Sequence, residues 1–135
     1  MTKLVATRAT CARRSVGCAL VDVHGHVLAT GYNGVPSGFP HCNEEHPCPG
    51  ALAKSGQGLD QCFAVHAEQN ALLQCHDAHA IQTCYVTHSP CVTCTKLLLN
   101  TSCARVVFAE RYAHDEASLA LWAHSNNTAS WVHLV

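Results

Sequence analysis

The sequence is poor in positive charge. It has eight lysines and arginines in 135 residues, no basic run longer than the pair Arg13-Arg14, and a formal net charge of −1. Basic patches that neutralise phosphates supply most of the non-specific affinity of nucleic-acid binders. This composition therefore argues against a nucleic-acid partner and for a small-molecule substrate. Long hydrophobic runs are missing too: nothing approaches the roughly 18–20 consecutive apolar residues of a membrane span, so no membrane partner is expected. The opening "MTKLVATRATCARR" has no apolar run followed by a small-residue cleavage site and does not read as a secretory leader. Internal repeats and low-complexity segments are also lacking.

What is abundant is metal-ligating chemistry: ten cysteines and eleven histidines. Without a secretory leader the chain is expected in the cytoplasm, where thiols stay reduced. Metal then becomes the leading explanation, ahead of disulfides or simple burial of a small apolar residue. The length fits one domain, 1–135, able to bury roughly two-thirds of its unfolded surface around one core.

Residues 16–22 and 27–32 read as two strands joined by a tight His24-Gly25 turn. Residues 34–60 hold all but one of the prolines and form a long loop, which in a compact domain is functional or tied down. "VHAEQNALLQCH" (65–76) spaces Val65, Leu72 and Leu73 as a largely buried helix. Strands follow at 83–88, 105–110 and 130–135. Helices are expected at 91–102, entered through Pro90, and at 114–125 with acidic residues in its first turn. The order β-β-α-β-α-β-α-β predicts an α/β fold, a three-layer α/β/α domain around a five-stranded mixed sheet.

Two helix starts stand out, "VHAEQN" and "SPCVTC". At the carboxyl edge of a sheet, His66, Cys91 and Cys94 can meet, leaving a fourth tetrahedral position open, as catalytic zinc sites require. Glu68, two residues after His66, can reach that position without being a ligand. Zinc lowers the pKa of a bound water from ~15.7 toward ~7, and a carboxylate beside it can carry the proton to substrate. Taken alone, C-x-x-C is as consistent with a redox dithiol and H-x-E with chance. The combined order H-x-E then P-C-x-x-C is a known signature of zinc nucleobase deaminases, so that step is recognition and not inference from spacing.

The chain resembles the deoxycytidylate (dCMP) deaminases of phage and bacterial type, within the zinc-dependent cytidine/deoxycytidylate deaminase superfamily. The matching stretches are "TCARRSVG" (10–17), "GYNGVPSG" (31–38), "HC" (41–42), "CFAVHAEQNALL" (62–73), "CYVTHSPCVTC" (84–94) and "RVVFAERYAHDEA" (105–117). The resemblance implies a cytidine deaminase-like fold and hydrolysis of dCMP to dUMP and ammonia in pyrimidine deoxynucleotide metabolism. Glu68 is then the proton carrier, protonating N3 and helping the amine leave. It also implies substrate contacts from Asn33, Ala67, Ser89 and Tyr112, with Asn33 near the sugar. From the residues alone, Asn33-Gly34 would equally suit a left-handed turn. Tyr112 after its strand would equally be packing, and Arg13, Arg14, Lys96 and Arg111 are the candidates for phosphate.

The same resemblance implies a homohexamer with an allosteric nucleotide site built from Tyr32, Asn33 and Gly34. It would be activated by dCTP with Mg2+ and inhibited by dTTP, in the cytoplasm, or the host cytoplasm for a viral form. The start of the chain lies only ten residues before Cys11, so the family's first helix is expected to be shortened. Among the other cysteines, Cys11, Cys42, Cys48 and Cys62 sit outside predicted core elements and suit a second, structural zinc, with His41 or His46 as alternative ligands. The resemblance supports Cys11 and Cys42 most. Cys18, Cys75, Cys84 and Cys103 read as core filler. Deamination of another small cytosine or purine nucleoside or base is the alternative enzyme reading. A non-catalytic zinc scaffold is the non-enzyme reading, and Glu68 speaks against it.

Overall fold

In a computed structural model of the protein, residues 1–9, 14–38, 64–113 and 115–134 are described. β1 (Gly17–Val21) and β2 (Val27–Tyr32) form an antiparallel hairpin. Asp22 builds its turn by accepting the His24 and His26 N–H groups, each at 2.9 Å. Gly25 turns at φ +83°, where a side chain would be strained. The turn spans residues 22–26, wider than the tight pair expected from the sequence.

β3 (Thr83–His88) pairs antiparallel with β1, while β4 (Arg105–Glu110) and β5 (Trp131–His133) add in parallel. The order is β2-β1-β3-β4-β5, the five-stranded mixed sheet that the sequence predicts. Only β1 runs against the other four. Its amino-terminal end therefore meets the carboxyl ends of β2, β3 and β4 along one edge of the sheet.

The helices are α1 (Thr2–Ala6), α2 (Ala67–Gln74), α3 (Val92–Leu99) and α4 (Glu116–Ala123). Opposed residues on neighbouring strands share a face and consecutive residues alternate. Gly31 and its partner Cys18 thus face one side, Tyr32 and its partner Gly17 the other. A Cβ on Gly31 would collide with the Ala67 carbonyl and Ala71 amide of α2, and one on Gly17 with the Thr2 carbonyl of α1. The two helices therefore cover opposite faces. α3 lies against α2 and α4 against α3, completing three layers.

α2 departs from expectation. It begins at Ala67, and Val65 forms an isolated bridge to Gly34 instead of a helical turn. Nor is it largely buried: Leu73 is 79% exposed, and burial falls on Ala67, Glu68 and Ala71. The reason is Gly31, which lets β2 approach the backbone of α2 at Ala67 and Ala71, so that the helix meets the sheet there and not through Leu73.

At the far end of the sheet, Trp122 is fully buried and its indole N–H donates to Ser130 Oγ at 2.9 Å. Residues 128–130, which precede β5, form a 3-10 turn, so the last strand starts at Trp131. Cys18, Cys84 and Cys103 are buried core residues as predicted, with Cys18 and Cys84 sulfurs 3.6 Å apart as free thiols. Burial pushes the Cys103 thiol up to about 12. Cys75 is only partly buried. No helix among the described residues is long and apolar enough to cross a membrane.

Candidate metal centre

His66 and Cys91 are the N-cap residues of α2 and α3, and Cys94 lies in the first turn of α3. Helix starts carry unsatisfied N–H groups and a partial positive charge, which favours thiolates there. The Cys94 N–H points at Cys91 Sγ, 3.5 Å away. His66 is held by its own helix, its N–H donating to Gln69 Oε1 at 2.8 Å.

His66 Nδ1 lies 3.3 Å from Cys94 Sγ and 3.4 Å from Cys91 Sγ, and the three donor atoms all lie within 4.8 Å of one another. Zn–S distances near 2.3 Å and Zn–N near 2.0–2.1 Å separate tetrahedral donors by roughly 3.5–3.8 Å. The two nitrogen–sulfur separations therefore lie within a few tenths of an ångström of those zinc requires, and the one-nitrogen, two-sulfur donor chemistry suits it. It is the one such group among the described residues.

The charge pattern is that of a poised ligand set. Hydrogen bonding to the Cys94 thiol, with help from His66, holds Cys91 down to about 4, so it is a thiolate at neutral pH. His66 is raised in turn by its bond to Cys91, while Cys94 is raised by sharing its proton with Cys91 and by burial. Glu68 is 4% exposed, and burial, then the Cys91 charge, raises its carboxyl above the usual range.

The other predicted side chains lie around the same sheet edge. Ser89 follows β3 directly, and its Oγ accepts the Tyr112 N–H at 2.6 Å, tying the turn after β4 to the turn that carries Cys91. Ala67 is fully buried at the start of α2. Asn33 is not in a left-handed turn, since no non-glycine residue among those described has positive φ. Its amide instead accepts the Val16 N–H at 2.8 Å and donates to the Arg14 carbonyl at 2.6 Å. Of the phosphate candidates, Arg14 stacks over the Tyr112 ring, 5.6 Å from its centroid. Arg111 is instead paired with Asp115, and Lys96 lies in the last turn of α3, away from Cys91. Arg13, the four cysteines Cys11, Cys42, Cys48 and Cys62, and His41 and His46 lie outside the described residues, as does most of the predicted long loop.

Two connections were not read from the sequence. Asn70 Nδ2 donates to the Tyr32 carbonyl at 2.8 Å, joining the His66 helix to the end of β2. His88 Nε2 meets Glu110 Oε2 at 2.9 Å across the paired ends of β3 and β4. The spacing of Gln69 to His66 is that of a capping box, but histidine at the N-cap hides the usual Ser/Thr signal.

Residues 1–110 match the family model described as the cytidine and deoxycytidylate deaminase zinc-binding region. The chain is 37% identical over 125 residues to a deoxycytidylate deaminase of Schizosaccharomyces pombe, covering 90% of this chain and 38% of that protein. It is 39% identical over 111 residues to the deoxycytidylate deaminase of Mycobacterium phage D29, covering 76% of this chain and 84% of the phage protein. It thus spans less than half the length of the fission yeast relative and most of the phage relative. The dCMP deaminase of cyanophage S-TIM5, solved in complex with dCMP and dUMP, superposes with a TM-score of 0.67 at 28% identity, covering 93% of this chain and 89% of that one.

Proposed function

Because this chain belongs to the cytidine and deoxycytidylate deaminase family, we propose that it hydrolyses the 4-amino group of dCMP, giving dUMP and ammonia. One observation carries the reading: the His66, Cys91 and Cys94 donors converge beside the buried carboxyl of Glu68. Zinc held by His66, Cys91 and Cys94 would acidify the attacking water, lowering its pKa from ~15.7 toward ~7.

Glu68 accepts one proton from the attacking water as its oxygen bonds to C4 and delivers it to N3, then passes that oxygen's second proton to the departing amine as the C4–N4 bond breaks. Burial makes its carboxyl hold a proton more readily than an exposed carboxylate does, which a proton carrier needs. Burial excludes competing solvent from the transfer. Ala67, Ser89, Asn33 and Tyr112 are assigned to the base and sugar, and Arg14, whose guanidinium lies over the Tyr112 ring, to the phosphate.

Allosteric control by dCTP with Mg2+ and by dTTP at Tyr32, Asn33 and Gly34, in a homohexamer, belongs to the same proposal. The Asn70–Tyr32 bond and the Gly34–Val65 bridge support it by linking that corner to the start of α2. We also assign a second, structural zinc to Cys11, Cys42, Cys48 and Cys62, and a cytoplasmic location, which the free thiols Cys18 and Cys84 fit.

The test compares zinc-loaded protein with its Glu68→Gln variant, measuring dUMP and ammonia formed from dCMP along with zinc content. Turnover lowered at least ~10²-fold with zinc retained supports the role of Glu68. Undiminished turnover refutes it.

A further inference from the structure

Three residues expected at the substrate, Asn33, Tyr112 and Ser89, are joined through Arg14 into one chain of contacts. The Asn33 amide oxygen accepts from Val16 and its nitrogen donates to the Arg14 carbonyl. These bonds fix the orientation of the amide, since a flip would set N–H against N–H and oxygen against oxygen. At 7% exposed, Asn33 thus spends one donor and one acceptor on the backbone on either side of Ser15. The Arg14 guanidinium lies over Tyr112, within the ~6 Å of a cation–π contact. Tyr112 is in turn anchored by its N–H to Ser89 Oγ.

We propose that Asn33 is a positioning residue for Arg14: by clamping residues 14–16 it aims the guanidinium along the site edge, and so favours a substrate bearing a phosphate over its unphosphorylated form. The proposal rests on the deaminase reading above. Residues 14–16 have no regular structure and enter β1 where it meets the ends of β2 and β3. Fixing the backbone that carries the guanidinium reduces what must be ordered on binding. The guanidinium also acts on His88, lowering its pKa after desolvation, which places the charge near the end of β3.

The sugar contact assigned to Asn33 above has a separate signature. Sugar contact affects dCMP and deoxycytidine alike, whereas action through Arg14 affects their ratio. The experiment measures kcat and KM for both substrates with zinc-loaded wild type, Asn33→Ala, Arg14→Ala and the double variant, each checked for folding by thermal melt. We expect Arg14→Ala to lower the dCMP-to-deoxycytidine ratio of kcat/KM by about tenfold or more, mainly through KM. Asn33→Ala should lower the same ratio, yet change it less than about twofold once Arg14 is absent. Multiplying losses in the double variant, or an unchanged ratio in Asn33→Ala, overturns the proposal.

Should Asn33→Ala not fold, Asn33→Asp serves, because it keeps the Val16 bond and sets oxygen against the Arg14 carbonyl. An intermediate fall in the ratio is expected, and none overturns the proposal. A wild type that deaminates neither substrate overturns the functional reading as well. Turnover of dCMP with independent losses overturns this inference alone.

Discussion

Arg111 and Asp115 form a two-pronged pair, Nε to Oδ2 at 3.2 Å and the terminal nitrogen to Oδ1 at 2.7 Å, with the carboxylate side chain only 3% exposed. The pair pins the entry of α4 to the end of β4. An arginine that looks like a phosphate ligand in the sequence therefore has a structural task. Arg111→Ala leaves a buried carboxylate without its partner and should destabilise the fold. The KM for dCMP should move less than about threefold. Urea unfolding and steady-state kinetics check both, and a large KM change with unchanged stability would return Arg111 to the phosphate.

Gly31 is predicted to resist substitution. Its missing side chain lets α2 sit against β2, and a Cβ there meets backbone that cannot rotate away. Gly31→Ala should cost about 1–3 kcal/mol from overpacking and lower zinc affinity by displacing His66. Thermal melts with and without zinc measure the two effects, and a melt unchanged in both states would contradict the close packing.

Zinc loading should release protons. Cys91 is already a thiolate at neutral pH, whereas Cys94 and His66 are raised and must give up their protons to become ligands. Affinity should accordingly fall as pH drops. Stripping zinc with a chelator should abolish deamination, and readdition should restore it. An indicator-dye titration that detects no proton release would show that these donors are not the ligands.

At the hairpin, the bonds from the His26 and His24 amides hold the Asp22 carboxyl below its usual 3.8. A lowered carboxyl stabilises the fold above its unfolded value and loses that contribution as pH falls through the folded one. The two amide resonances should titrate together with a midpoint below 3.8. A midpoint at or above that value would mean the turn does not grip the carboxylate.

Strands 27–32, 83–88 and 105–110 coincide with β2, β3 and β4 because β-branched and apolar residues there run between clear breakers. The grouping of His66, Cys91 and Cys94 was legible from the order H-x-E then P-C-x-x-C, and the structure brings their donor atoms within 4.8 Å of one another. Leu73 misled because helical spacing states which residues align, not which face is covered, and Gly31 on a distant strand decides that. Arg111 and Asn33 could not be assigned from sequence, because Asp115 and the 14–16 backbone become their partners only once β4 and β1 are in place.

The reversed direction of β1 has a practical consequence. It brings residues 14–16 to the carboxyl ends of β2, β3 and β4, beside the corner at 33, the helix start at 66–68, the turn at 88–94 and the residues after 110. Five stretches scattered along the sequence thus meet at one edge of the sheet. No excised peptide can carry its chemistry, and grafting it elsewhere would mean transplanting the sheet.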